Sequence, residues 1–336
     1  MKYYVLIFGV FLGIISCSEN EALKIVEEEV NVLKIFSKEE MHSAFTDLAY
    51  FKGDFYCTFR VAKKHVGDDG LIYLLTSKNS KNWKFVKSFR VEGVDLRDPK
   101  FMLSEDLQIL YLHIGGSIFR NGEFVTHNQF VTQSQNGKEW ETPNLINIKD
   151  KWLWKPILYN NLSYSIGYKA GEELVFYKSS DLINYNFEKT INLDPSGILT
   201  EAAIAKSHDT LYAIVRKNYP GSYFGISKKP FHEWKWVQLD RVLGGPNIMK
   251  IDNRILISGR TYIDSEDSDC RTKTFLGEII GDKIKILHIL PSGGDTGYTG
   301  MLYKDNMLYI SYYSGISGCL NTNDNFTEVY LAKIKL

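Results

Sequence analysis

Apolar and polar residues alternate with period two, or run apolar for six to eight places, along most of this chain. Segments such as FYCTFRV, LSYSIGY, TLYAIVR, NRILISG and NMLYISYYS have the pattern of strands with one or both faces buried. A short polar step carrying Gly, Asn or Asp precedes each, in FKGD, YNN, KSHD, KIDN and YKDN. Such steps predict tight turns between antiparallel partners, because these residues tolerate the backbone a hairpin needs. From Phe45 to Leu336 nothing keeps a helical period for long. The predicted fold class is all-β.

The strand pairs recur as a unit: an apolar strand, a polar turn, an aromatic-rich strand, a loop, then a third strand ending in a small polar turn. Copies begin near Phe45, Leu96, Trp154, Glu201, Gly245 and Tyr298, at intervals from 44 (245 − 201) to 58 residues (154 − 96). Six four-stranded units of this length predict a six-bladed β-propeller. Closing the ring needs a strand from the other end of the chain. VNVLKIFS (Val30–Ser37) is expected to lie beside EVYLAKIKL, near the C-terminus, and so remove an open edge.

The first residues, MKYYVLIFGVFLGIISC, read as an export signal: Lys2 is basic, and Tyr3 to Ile15 are apolar but short for a bilayer span. Ile14-Ile15-Ser16-Cys17 resembles the lipobox of bacterial lipoproteins. That resemblance implies cleavage before Cys17 and acylation of its thiol. The expected organisation is a signal peptide over 1–16, a polar tether over 17–29 and one propeller domain over 30–336. The expected location is outside the cytoplasm, lipid-anchored to the bacterial outer membrane or cell surface.

Charge narrows the partners. Lys+Arg and Asp+Glu are balanced at 40 each, so no basic field points to nucleic acid. Aromatic residues make up 14% of the chain, which suits strands and carbohydrate-facing surfaces. Beyond Cys17 the cysteines are Cys57, Cys270 and Cys319, too few and too spread for a disulfide framework. Cys57 reads as a small core residue; Cys270 and Cys319 lie in loop-like stretches where pairing is open. No close Cys/His cluster suggests zinc. No metal and no cofactor are expected, and the chain is expected to act as a monomer.

In a propeller the innermost strands begin near the axis. Their first residues, and the ends of the second strands, therefore gather on one face. Asp47, Arg60, Arg97, Asp98, Trp154, Glu201, Arg216, Arg260, Asp295 and Tyr298 occupy such places. A carboxylate, guanidiniums and a tyrosine at one centre suit an anionic sugar: the arginines hold its carboxylate in bidentate fashion, and the tyrosine attacks.

Two sets of residues resemble the exo-α-sialidase superfamily. TSKNSKNWKF, TQSQNGKEWE, YKSSDLINYNF and GISKKPFHEWKW look like worn Asp-box turns, the Ser-x-Asp-x-Gly-x-x-Trp hairpins of sialidases, with Asp181 the clearest surviving aspartate. The step from Glu201 to Arg216 and the motif TGYTGM around Tyr298 are similar to the spacing and nucleophile motif of that superfamily. The resemblance runs from about residue 42 to the end. It implies Tyr298 as nucleophile, Glu201 as its base, and retention of configuration. A neutral tyrosine suits this chemistry because a carboxylate would be repelled by the sugar's own. The arginines are expected to favour the phenolate.

The first unit departs from that pattern. Sialidases usually begin it with Arg-Ile-Pro, whereas here the stretch reads SAFTDLAYF. The missing guanidinium is expected from Arg97, with Arg60 the alternative. The general acid is expected to be Asp98 or Asp47, then Asp69 in KKHVGDDG, with His65 last. Trp152 and Trp154 read either as a sugar platform or as core. Each residue also has a plain structural reading, the arginines as bridges between blades and the tyrosine as packing. The function implied is release of a terminal α-linked sialic acid or related acidic sugar from a glycan. The alternatives are another sugar, or glycan binding without catalysis.

Overall fold

The computed structural model describes residues 30–67, 70–148, 150–194, 196–263, 272–315 and 326–336. Cys17, Asp68, Asp69, Cys270 and Cys319 lie outside the described residues, and with them the export signal and the tether.

The described chain is all strand and turn. After β1 (Asn31–Phe36) comes a first antiparallel meander, β2 (His42–Phe51), β3 (Asp54–Ala62), β4 (Leu71–Ser77) and β5 (Lys84–Phe89). The second is β6 (Asp95–Leu103), β7 (Leu110–Arg120), β8 (Glu123–Ser134) and β9 (Asn144–Leu145). In the third the inner edge is split: β10 (Trp152–Leu153) and β11 (Ile157–Tyr159) both pair with β12 (Leu162–Tyr168), followed by β13 (Leu174–Ser179) and β14 (Asn186–Ile191). Pro156 sits at the split, where a residue without an N–H cannot donate to a ladder. The fourth is β15 (Leu199–Ser207), β16 (Thr210–Lys217), β17 (Tyr223–Lys228) and β18 (Lys235–Gln238). The fifth is β19 (Gly244–Ile251), β20 (Arg254–Tyr262), β21 (Thr272–Ile280) and β22 (Lys283–Ile289). The chain ends in β23 (Thr296–Lys304), β24 (Met307–Gly315) and β25 (Thr327–Lys335).

The arrangement is that of a propeller, but the expectation of six separate blades is corrected. The second to fifth meanders are four separate sheets, whereas the first and last run together in one eight-stranded sheet. The join is a single parallel pair, His42↔Thr327. It forms because Thr327 answers Ser43 twice: its Oγ1 accepts the Ser43 N–H at 2.8 Å and donates to the Ser43 carbonyl at 2.8 Å. β1 pairs antiparallel with β25, from Asn31↔Lys333 to Phe36↔Val329.

Predicted turns form as their residues dictate. Lys52-Gly53, Asn160-Asn161 and Asp305-Asn306 each place two successive residues at positive φ, the backbone of a two-residue hairpin. The serine turns between third and fourth strands close on themselves. Ser179 Oγ donates to Asp181 Oδ1 at 2.9 Å, and that oxygen accepts the Ile183 and Asn184 N–H groups at 2.9 and 2.7 Å. Asn79 and Asn136 do the same in their turns, so an amide oxygen replaces the carboxylate without losing the geometry. These turns lie at the end of the sheets opposite the starts of the inner strands, as the pairings Phe55↔Ser77 and Tyr50↔Phe55 require.

The inner strands share one irregularity. Register slips by a residue between Ala44 and Asp47, Arg97 and Lys100, Leu199 and Ala202, Gly244 and Asn247, and Gly297 and Gly300. Just inside four of these bulges the backbone is left-handed, at Phe45 (φ 61°), Asp98 (50°), Gly245 (54°) and Tyr298 (48°). A bulge bends the strand and re-aims its side chains. Below the bulges an ionic layer ties the inner strands together. Asp47 accepts the Phe101 N–H at 2.8 Å and meets Lys155 Nζ at 3.3 Å, while Lys155 donates to Asn247 Oδ1 at 2.9 Å. Lys100 donates to the Thr46 carbonyl at 3.0 Å.

Candidate active site

Tyr298 stands at the bulge of β23, its ring against the backbone of β19. A Cβ on Gly245 would come within 2.5 Å of the Tyr298 ring, so glycine there is what admits it. Phe45 packs on the ring at 4.9 Å between centroids and Trp154 at 5.3 Å, while the Arg260 guanidinium lies 5.4 Å from its centre. This last is a cation–π contact.

Tyr298 Oη donates to Glu201 Oε1 at 2.6 Å. Arg216 Nη1 donates to the same oxygen at 2.8 Å and lies 3.5 Å from the phenol oxygen. The Gly245 N–H donates to Glu201 Oε2 at 2.7 Å. Glu201 is thus an oriented acceptor with one oxygen on the phenol. Burial and the Glu201 carboxylate push the Tyr298 hydroxyl well above its usual range, against the pull of Arg260 and Arg216. The expectation that the arginines favour the phenolate is therefore outweighed: burial and the Glu201 carboxylate hold Tyr298 as a neutral phenol.

Arg216 and Arg260, with Asn218, Gly244, Thr261 and Tyr262, line an open cleft of about 300 Å³; neither Tyr298 nor Glu201 is among its lining residues. Arg97 reaches the same neighbourhood from another side. Its guanidinium lies 4.8 Å over Phe45, donates to the His65 carbonyl at 3.3 Å and approaches Asp98 at 4.0 Å. Asp98 is 6% exposed, and its Oδ1 is buried without a partner. Burial pushes its carboxyl up to about 6, with Arg97 and Lys100 pulling the other way.

Three expected site residues are elsewhere engaged. Arg60 is fully buried: Nε and Nη2 both donate to Asp95 Oδ1, at 2.8 and 2.7 Å, and Nη1 donates to the Lys64 carbonyl. It braces two meanders and has no face for a substrate. Asp47 is 1% exposed and belongs to the ionic layer below the bulges, so it is not a proton donor to a sugar. Trp154 is 1% exposed and underlies Tyr298, and Trp152 is buried as well; neither is a platform.

The sequence reading passed over Tyr168 and His42. Tyr168 ends β12, as Arg216 and Arg260 come near the ends of β16 and β20. Burial raises its hydroxyl well above the usual range, and the charges of Glu201 and Asp98 add to the shift. Its place in the repeat, at the end of a second strand as for Arg216 and Arg260, is the signal that marks it. His42 Nε2 bonds Asp295 Oδ2 at 2.8 Å, and His65 Nδ1 bonds the same oxygen at 2.6 Å. These three atoms, within 4.8 Å of one another, are the group among the described residues that could hold a metal ion. Arg260 Nη1, 3.4 Å from Asp295 Oδ1, places a positive charge against that use.

No protein-family model matches this sequence, and no curated protein matches it. Solved structures do match in fold. The phage phi92 endosialidase superposes with a TM-score of 0.70 at 10% identity, over 92% of this chain and 69% of that one. A Trypanosoma rangeli sialidase in complex with the inhibitor DANA gives 0.67 at 13%, over 90% and 59%. A Hadza microbial sialidase gives 0.64 at 12%, over 88% and 66%. The chain thus spans about three fifths to two thirds of their lengths. It has a sialidase-like fold.

Proposed function

We propose that the protein is a sialidase-like glycoside hydrolase that releases a terminal α-linked acidic sugar, sialic acid first, with retention of configuration. The observation that carries this reading is the 2.6 Å bond from the Tyr298 phenol to Glu201, with Arg216 and Arg260 beside it. The two arginines receive the sugar carboxylate and set the anomeric carbon against Tyr298 Oη. As that oxygen attacks, Glu201 Oε1 takes its proton, and the glycosidic bond breaks. Water then displaces the tyrosine, whose oxygen recovers the proton from Glu201. A Trypanosoma rangeli sialidase of the same fold is described with 2,3-difluorosialic acid as a covalent intermediate, which supports a covalent step here.

The third guanidinium gives weight to a second acidic sugar. Arg97 engages Phe45, His65 and Asp98, and the first meander has no arginine in the stretch SAFTDLAYF. A uronic acid, with its carboxylate at a different carbon, is the alternative substrate. Export and lipid anchoring through Cys17 remain part of the reading, on the strength of the sequence signal, and fit an enzyme that meets glycans outside the cell.

The deciding assay is release of fluorophore from an aryl α-sialoside, run beside aryl uronides and neutral glycosides. Turnover of the sialoside is expected. Turnover of uronide alone moves the substrate class, and no turnover of any acidic glycoside sinks the enzymatic reading.

A further inference from the structure

On that reading the reaction depends on where Tyr298 Oη points, and a bulge decides that. Tyr298 has φ 48°, a left-handed backbone that an aromatic residue keeps only where its surroundings over-determine it. Neither Tyr298 nor Thr299 has a register partner in β24, where the pairing jumps from Gly297↔Tyr313 to Gly300↔Ser311. Side chains from other meanders take up both of their carbonyls.

Thr46 Oγ1 of β2 donates to the Tyr298 carbonyl at 3.1 Å. Asn247 Nδ2 of β19 donates to the Thr299 carbonyl at 2.8 Å. Each donor is itself fixed. Thr46 Oγ1 accepts from Ser311 Oγ at 2.8 Å, and Ser311 Oγ accepts the Gly300 N–H at 3.2 Å. This chain of donors leaves β23 just after the bulge, crosses β24 and β2, and returns to the carbonyl of the nucleophile. A Cβ on Gly300 would lie 2.4 Å from the Leu48 nitrogen, so glycine there lets β23 come this close to β2. Asn247 Oδ1 accepts from Lys155 Nζ at 2.9 Å, which leaves its amide nitrogen to face Thr299.

The ring is held by the same elements. Phe45, next to Thr46, packs on it at 4.9 Å, and Trp154 packs on it at 5.3 Å. Lys100 Nζ donates to the Thr46 carbonyl at 3.0 Å and lies 5.3 Å over the Trp154 ring. Thr46, Asn247, Lys100 and Ser311 are each at most 2% exposed, so solvent is not at hand to replace a lost donor.

We infer that Thr46 and Asn247 are positioning residues for the nucleophile. They hold the two bulge carbonyls, and through them the backbone that aims Tyr298 Oη at Glu201 Oε1. At 0% and 1% exposed, neither can touch a sugar. Their loss therefore acts on the bond-forming step and not on binding; a reacting atom displaced by about 1 Å costs about a hundredfold.

Thr46→Val keeps the shape of the side chain and removes the hydroxyl. It is expected to lower kcat on an aryl α-sialoside, and the rate at which 2,3-difluorosialic acid labels Tyr298, together by about 10–100-fold, with KM within about threefold. Thr46→Ser restores the hydroxyl and should recover both rates. Asn247→Asp keeps the oxygen that Lys155 binds and removes the donor to Thr299, and should show the same split. Thr132→Val is the control for general loosening, since Thr132 Oγ1 donates to the Glu141 carbonyl at 2.7 Å near the serine turn of the second meander. It should lower the melting temperature and leave kcat and labelling unchanged. Crystal structures of Thr46→Val and Asn247→Asp should show the Tyr298 Oη to Glu201 Oε1 separation, 2.6 Å in the parent, opened past about 3.2 Å. Parent-like kcat and labelling in Thr46→Val and Asn247→Asp overturn the role. So does a loss confined to KM, an equal loss in Thr132→Val, or no recovery in Thr46→Ser. A parent that hydrolyses no acidic glycoside and takes no label brings down the sialidase reading instead. The crystal distances then still decide whether the two residues position Tyr298.

Discussion

Arg60 and Arg260 hold the same place in the first and fifth meanders. Each lies opposite the residue before a bulge, Ala44 and Gly244, and each reaches an aspartate at the start of the next meander, Asp95 and Asp295. The outcomes differ. Among the described side chains Arg60 alone bonds Asp95 Oδ1, at 2.7 Å, while Arg97 Nη1 lies 3.9 Å from Oδ2. Asp295 is shared with His42, His65 and Tyr313, so Arg260 stays at 3.4 Å with a quarter of its side chain open. One site of the repeat is a sealed brace, and the other keeps a partly exposed guanidinium.

Removing one partner of the brace leaves a buried charge uncompensated. Asp95→Ala is expected to lower unfolding free energy by about 3–5 kcal/mol in urea titration. Arg260→Ala should do far less to stability. It should lower kcat/KM on an acidic glycoside by roughly ten- to a hundredfold, the worth of a lost charge-assisted contact. The reverse pattern would show that the two places have been assigned the wrong way round.

Asp98 makes stability depend on pH. Burial pushes its carboxyl from the ordinary value of 3.8 up to about 6. The folded state binds this proton more tightly, so the contribution is fully present below about pH 4 and is lost as pH rises through 6. Two pH units correspond to about 3 kcal/mol. Asp98→Asn removes the buried charge and should raise the melting temperature at pH 8 but not near pH 4. An unchanged difference across that range would mean that Asp98 is not desolvated.

The N-terminal strand closes the eight-stranded sheet. Phe36 packs on Phe59 at 4.8 Å and on Tyr73 at 5.7 Å, and β1 covers the outer edge of β25. Deleting the chain through Phe36 should cost about 3 kcal/mol or more from lost apolar burial. It should also promote association through the bared edge. Denaturation midpoints and sedimentation check both; a monomer of parent stability refutes the closure.

Much of this was legible because period-two patterning and turn chemistry are local. The strand runs, the hairpin residues and the β1–β25 pairing could be read directly, and so could the meeting of Glu201, Arg216 and Tyr298. What could not be read was desolvation. CTFR and ISGR look alike, yet Arg60 is sealed and Arg260 is not, because the difference lies in what His42 and His65 do to Asp295. Asp47 sits at the correct end of its strand, but the bulge turns it below the site, and Trp154, in the gap between β10 and β11, is buried against Tyr298. The fusion of the first and last meanders hangs on one threonine, Thr327, which no pattern marks.

Anchoring is tested by Cys17→Ala. The parent is expected in the membrane fraction as a processed, acylated chain. The variant is expected as unprocessed precursor or as released protein, read by fractionation and intact mass. Equal membrane retention and processing of the variant would set the lipobox reading aside.

Tyr298 carries the covalent step of the proposed reaction. Tyr298→Phe keeps the ring that Phe45, Trp154 and Arg260 pack upon and deletes only the oxygen. Glu201 retains donors in Arg216 and the Gly245 N–H, so no bare carboxylate is left behind. The variant should fold with a melting temperature near that of the parent and bind the acidic sugar. Its kcat should fall by about 10³-fold or more, as for loss of other nucleophiles. Glu201→Gln should fall by about 10²–10⁴-fold, since the phenol must then lose its proton unaided. A 2,3-difluorosialic acid probe should add its glycosyl mass to the peptide holding Tyr298 in the parent and leave Tyr298→Phe unmodified. Parent-like turnover in the phenylalanine variant, or a label on any other residue, would move the covalent step away from Tyr298.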